Sequence, residues 1–315
     1  MRALIYSLVL VLIALPLASA TAAPVGYSVN SDQPLGDTLH AIDLADGSAT
    51  AIGVGVSSLG VLRTDVEGLA ISPNLALWGA DEDRLKLFRI NTTTGTVIPE
   101  SEVDITGLDA AISNDFGLTF ACDGTLYTTS VISQSLFILD TDGTATRVGA
   151  AGSLGVNISA IASFGESPVR LFGLGNGLLG DEGPADNRSL YEIDPLTGTA
   201  TLIGDVGAGV ANYTEAGLSF DASGQLWAIT DRSAFGLPSQ ILSLDLDTGE
   251  ATLVSTTTII GFESLAIAPP GGCGSGPPVE PSPAVQIPSL GAAGKLLAIL
   301  VLLLPGLAGL NLRRY

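Results

Sequence analysis

Histidine occurs once in the 315 residues, at position 40, and the chain holds only two cysteines and two tryptophans. A lone imidazole leaves no His cluster for zinc and makes nucleophile–base arrangements hard to assemble. No cofactor-binding glycine motif is present either. Basic residues are scarce, 12 against 32 acidic ones. Nucleic acid is gripped through phosphates by clustered Lys and Arg, so it is excluded as a partner. The acids all lie between Asp32 and Glu280, with only 8 of the basic residues among them. Such a body stays soluble, repels anionic polymers and concentrates divalent cations. What the chain does have is apolar content: 46% of its residues, enough for a folded core and against wholesale disorder.

The two ends read differently from the middle. Arg2, the apolar run Leu4–Leu17 and then Ala18-Ser19-Ala20 have the order of a secretory signal peptide, residues 1–22, cut after Ala20 or Ala22. A membrane anchor is the alternative, but this run, broken by Pro16, is short for a span of roughly 20 residues. At the other end, residues 270–286 form a linker rich in Pro, Gly and Ser, which supplies no core. Leu290–Leu312 is apolar enough for one membrane helix, and Arg313-Arg314 would hold its end in the cytoplasm. The expected topology is an exported body at the cell envelope or cell surface, tethered to the membrane by its tail.

Between the ends, one segment recurs five times: His40-Ala-Ile-Asp-Leu-Ala-Asp-Gly47, Phe88-Arg-Ile-Asn-Thr-Thr-Thr-Gly95, Phe137-Ile-Leu-Asp-Thr-Asp-Gly143, Tyr191-Glu-Ile-Asp-Pro-Leu-Thr-Gly198 and Leu242-Ser-Leu-Asp-Leu-Asp-Thr-Gly249. Its closing glycines are 48, 48, 55 and 51 residues apart. Each copy alternates like a strand and reaches Asp or Asn followed by Gly, a tight hairpin. One aromatic per unit, Tyr27, Trp78, Tyr127, Phe172 and Trp227, marks a second strand. A short apolar strand marks a third, as in Glu67-Gly-Leu-Ala70 and Glu263-Ser-Leu-Ala266. Four strands in about 50 residues is the size of a propeller blade. The first unit lacks the apolar strand and the last copy of it has no unit after it. The expected fold is therefore an all-β, five-bladed β-propeller over residues 23–269, closed by its C-terminal strand.

Two resemblances sharpen this. Ile287-Pro288-Ser289-Leu290, Gly294, a Leu-rich stretch and the final Arg pair, together residues 287–315, resemble the IPTL-type C-terminal sorting domain of Gram-negative bacteria. Ser289 departs from its usual Thr, as do Ala292-Ala293 from an acidic residue and Trp. The resemblance implies an exosortase-type processing enzyme as partner; an ordinary tail anchor is the alternative. The repeats ending in Ile-Asp-Pro-x-Thr-Gly resemble those of secreted bacterial propellers, which implies an architecture and no activity.

His40 stands where other units have Phe88, Phe137, Tyr191 and Leu242, so it is expected to pack rather than to catalyse. Asp43, Asn91, Asp140, Asp194 and Asp245 precede the turn glycines and are expected to bond backbone N–H groups there. Asp140-Thr-Asp142-Gly143 has only the start of a calcium loop. Asp81-Glu82-Asp83 and Asp181-Glu182 read as solvated loop faces, and Gly173–Asn187 as an insertion loop suited to ligand recognition. Export permits a bridge between Cys122 and Cys273, although two unpaired thiols are the simpler expectation. The most informative set is Glu67, Asp115, Glu215 and Glu263, all near the start of the short apolar strand, with Asn157 and Ser159 in the remaining unit. If that strand lines the axis, four carboxylates meet, and their repulsion calls for a cation, raised pKa values, water, or an arginine such as Arg63 or Arg232. Hard oxygen ligands suit Ca²⁺. Glu67-Gly68 also resembles the Glu-Gly start of calcium-dependent lactonase-like propellers, which implies a hydrolase at the axial mouth as the alternative to a binding module.

Overall fold

A computed structural model of the chain describes residues 23–31, 37–108, 115–177 and 187–273. The segments expected to be a signal peptide and a membrane tail, most of the linker and the Asp181-Glu182 loop lie outside the described residues. Among the described residues, no helix is long and apolar enough to cross a membrane.

The strands come in chain order. β1 (Val25–Asn30), β2 (Thr38–Asp43) and β3 (Ala49–Ile52) open the first blade, and β4 (Ser57–Ser58) with β5 (Val61–Leu62) makes a small ribbon after it. The second blade is β6 (Val66–Ile71), β7 (Leu77–Asp81), β8 (Lys86–Ile90) and β9 (Val103–Asp104). The third is β10 (Leu118–Phe120), β11 (Leu126–Ser130), β12 (Ser135–Leu139) and β13 (Ala145–Val148). The fourth is β14 (Ile158–Phe164), β15 (Arg170–Gly175), β16 (Ser189–Ile193) and β17 (Ala200–Asp205). The fifth is β18 (Glu215–Phe220), β19 (Leu226–Asp231), β20 (Gln240–Leu244) and β21 (Ala251–Thr256), and the chain then adds β22 (Ala266–Ile267).

Each blade is a four-stranded antiparallel meander, and the first is completed by β22, giving the order β22-β1-β2-β3. Gly26 pairs with Ile267 and Tyr27 with Ala266, so the last strand is indeed lent to the first blade. The inner strands touch in a closed cycle, β6 to β10 to β14 to β18 to β22 and back to β6. This is a five-bladed β-propeller.

The core explains why the ring holds. Among the described residues there are five apolar clusters, and each spans two neighbouring blades rather than one. Val29, Leu39, Leu69 and Phe88 join the first and second blades; Ile42, Leu44, Ile229 and Ile241 join the first and fifth. A single blade has no interior of its own, so its apolar face is satisfied only by its neighbours. The first position of the recurring hairpin segment serves this packing: Phe88, Phe137 and Leu242 are fully buried. His40 takes the same place in the first blade, edge-on to Phe262 at 5.1 Å with Nδ1 2.9 Å from Thr38 O. Burial lowers its pKa and keeps the imidazole neutral, which suits a packing residue.

The hairpin residues behave as turn devices. Oδ1 of Asp43, Asn91, Asp194 and Asp245 accepts from the N–H of Ala45, Thr93, Leu196 and Asp247, at 2.8–2.9 Å. The third blade differs because its turn is one residue shorter. There Asp142, not Asp140, accepts from Thr144 N, so this pair serves the hairpin.

The cysteines overturn the simpler expectation: Cys122 and Cys273 form a disulfide, with Cα atoms 5.1 Å apart. Residues 268–273 leave β22, pass Phe220 and Gly165, and reach the β10–β11 turn in the third blade. Pro270 and Gly271 thereby cover the end of the axial channel towards which the inner strands run.

Candidate functional site: the axial carboxylates

All five inner strands begin at the same end of the ring, and the acidic residues stand at those beginnings. They do not share one register. Glu67 and Glu263 come one residue before Gly68 and Ser264, whereas Asp115 and Glu215 come two before Gly117 and Gly217. In regular strands a one-residue offset sends side chains to opposite faces. Local irregularity removes the conflict. The β6–β7 pairing jumps from Val66–Asp81 to Gly68–Ala80, leaving Glu67 as the extra residue of a bulge. Glu263 precedes β22, where no ladder constrains it. β18 pairs without interruption from Glu215 opposite Asp231.

The result is convergence. Carboxylate oxygens of Glu67, Glu215 and Glu263 lie within 4.8 Å of one another, as do those of Asp65, Glu67 and Glu82. Glu67 belongs to both triads. Asp115 is in neither, but its charge acts on Glu67, Glu215 and Glu82. The fourth blade contributes Ser159, whose hydroxyl is buried at the same axial space. Its neighbour Asn157 is turned to structure, with Oδ1 accepting from Gln134 Nε2 at 2.7 Å.

Most of these groups are shut away from water, while Glu215 and Asp65 are half-buried. Glu67 is 9% exposed, Glu263 4% and Asp115 2%. Burial first, then the like charges of Glu215 and Asp115, pushes Glu67 well above its ordinary value, and Glu215 rises for the same reasons. Glu82 is pushed up to about 10 by burial and by Asp65. Neither arginine offsets the charge. Arg63 bonds Asp81 at 3.3 Å and Glu102 at 2.6 Å. Arg232 donates to the carbonyls of Asn212 and Pro238.

Two members of the second triad, Asp65 and Glu82, were not legible. Asp81-Glu82 is no solvated face: Asp81 is 1% and Glu82 6% exposed. The β6–β7 pairing sets Glu82 beside Asp65, with Glu82 N donating to Asp65 O at 3.1 Å. The available signal was that an acid just past the aromatic strand returns to the end where the apolar strand starts. The proposed insertion loop is described only at its flanks, in β15 and from Asn187 onward.

The donor set fits a hard cation. It offers three to four carboxylates and a hydroxyl, all oxygen. Glu67 Oε2 is buried without a hydrogen-bond partner among the described residues. The axial space lined by Glu67, Glu263 and Ser159 is about 10 Å³, near the minimum for one water.

Neither a family model nor a curated protein matches this chain. Similar solved structures include the selenomethionine-substituted virginiamycin B lyase of Staphylococcus aureus, at 16% identity and TM-score 0.40, covering 74% of this chain and 70% of that one. XC5397 of Xanthomonas campestris, described as a gluconolactonase, is 14% identical with TM-score 0.40 and 75% coverage of each chain. A protein of unknown function from Bacteroides caccae gives TM-score 0.46 at 9% identity, covering 78% and 100%. At these identities no residue role carries over, and the fold rests on the sheet pairing itself.

Proposed function

We propose that the protein is an exported, envelope-tethered binding module whose axial carboxylates hold a calcium ion. The observation that supports this reading is the meeting of Glu67, Glu215 and Glu263 within 4.8 Å, with Glu67 Oε2 buried and unpartnered. Like charges placed so close are held apart from water at a cost that a divalent cation offsets. The hydrolase alternative needs a substrate beside that cation. About 10 Å³ beside Glu67 and Glu263 suits an ion or a water, which favours binding over catalysis.

The test is thermal unfolding of the full-length chain in calcium and in chelator, with isothermal titration alongside. Calcium is expected to raise Tm, and Glu67→Gln with Glu263→Gln to abolish the rise while leaving the chain folded. A chain that melts identically in calcium and chelator, with no heat of binding, removes the cation. Deletion from Ile287 onward is expected to release the protein from the membrane fraction; unchanged fractionation would count against the tether.

A further inference from the structure

A second concavity lies at the other end of the ring, between the second and third blades, and has nothing to do with the axial cluster. Its volume is about 310 Å³, within the size range of small-ligand sites. Three turns build it: Ser72–Ala76 between β6 and β7, Ala121–Thr125 between β10 and β11, and the β12–β13 hairpin at Thr141. Its floor is aromatic. Trp78 packs on the buried Phe120 ring at 6.0 Å, tilted by 57°. Its rim is polar and exposed, with Asn74, Asp123 and Thr141.

Comparison with the fifth blade shows why this tryptophan is available. Trp227 holds the same repeat position, is 7% exposed, and donates its indole N–H to Asp221 Oδ2 at 2.9 Å. In the second blade Ser72 stands where Asp221 stands, and its hydroxyl is engaged with Asn74 Oδ1 and Ala76 O. Trp78 is half-buried, and its indole N–H has no partner among the described residues. Asn74 keeps its amide N–H groups, because Ser72 occupies only its oxygen. Asp123 uses Oδ1 to accept from Thr125 N at 2.8 Å. The cleft thus offers a flat apolar ring, an indole donor, amide donors and a carboxylate acceptor within one turn-built hollow.

We propose that this cleft is a carbohydrate-binding site that takes a neutral hexopyranose ring stacked on Trp78. Such a ring has one face of C–H groups, which matches the indole, and hydroxyl edges that both donate and accept, which match Asn74, Asp123 and Thr141. Uronic acids are disfavoured, because Asp123 and the acidic excess of the body repel them.

The experiment is isothermal titration of the full-length chain, in chelator so that the axial cluster plays no part. The probes are hexasaccharides of β-1,4-glucose, β-1,3-glucose, α-1,4-glucose and β-1,4-N-acetylglucosamine, with a hexagalacturonate for comparison. At least one neutral probe is expected to bind with Kd between about 10 µM and 1 mM. Trp78→Ala should weaken it more than tenfold, Trp78→Phe should retain part of it, and Asp123→Ala should weaken it several-fold. The two aromatic variants require a check of unfolding, whereas Asp123 is exposed and its variant carries the test if they misfold. The proposal is overturned if no neutral probe binds with Kd below about 1 mM, if binding ignores both Trp78→Ala and Asp123→Ala, or if the hexagalacturonate binds best.

Discussion

The carboxyl of Glu82 has an ordinary value of 4.5 and stands at about 10 in the folded chain, with burial the main cause. Glu67 and Glu215 are displaced in the same direction. In the unfolded chain these groups lose their protons near the ordinary value; in the folded chain without a cation they keep them. The folded state then binds more protons than the unfolded one, so stability falls as pH rises between those limits. In chelator, Tm is therefore expected to drop from about pH 5 to about pH 8, opposite to the behaviour of a salt-bridged carboxylate. On the proposed reading calcium would replace the protons, and its addition should flatten that drop. Glu82→Gln should flatten part of it in chelator as well, since an amide needs no proton to stay neutral. A Tm that climbs with pH in chelator would show that these acids are ionised in the fold.

Among the elements, the inner strands are the most constrained, and glycine is the reason that they fit. A Cβ on Gly117 would stand 2.9 Å from Ile161 N, and one on Gly68 would stand 3.0 Å from Leu118 Cβ. On Gly217 it would collide with the backbone at Ser264 and Leu265, which are rigid parts of the next blade. Gly217→Ala is expected to cost about 1–3 kcal/mol or more, as overpacking does, and to lower Tm without altering the outer strands. Ser223→Ala, at an exposed turn, serves as the control; equal melting of the two variants would refute the close approach. The recurring glycine was visible in the sequence, and so was most of the fold. The repeat of hairpins with Asp or Asn ahead of the turn glycine set the blade count, and the orphan Glu263–Ala266 segment announced the closure. The site was legible only in part. Glu67, Glu215 and Glu263 were found through position, but the bulge at Glu67 that aligns them is a property of pairing, not of composition. Glu82 was hidden for the same reason, since an acidic run looks solvated until its strand partner is known. The disulfide needed knowledge of where residues 268–273 run after β22, which no local pattern records.

For the whole molecule, closure is the weak point, because β22 pairs with β1 through only Gly26 and Tyr27. Two residues of ladder hold the ring shut, helped by a bridge between Asn30 and Phe262. The segment after β22 adds the missing restraint. It crosses the fifth and fourth blades and ends in the bond from Cys273 to Cys122, spanning 151 residues of chain. A cross-link of that reach removes most open conformations of the unfolded chain, worth about 5 kcal/mol by loop-closure entropy. Such a bond persists in an oxidising compartment, which fits the export expected from the N-terminal sequence. Cys122→Ala with Cys273→Ala is expected to lower Tm by about 10–20 °C, given about 2–4 °C per kcal/mol for a domain of this size. Hydrogen exchange should then rise first in β22 and β1, because opening at that seam exposes an edge while the other four blades keep their own strands. If exchange instead rises evenly around the ring, the bond acts on the unfolded chain alone and the two-residue ladder is sufficient to hold the seam.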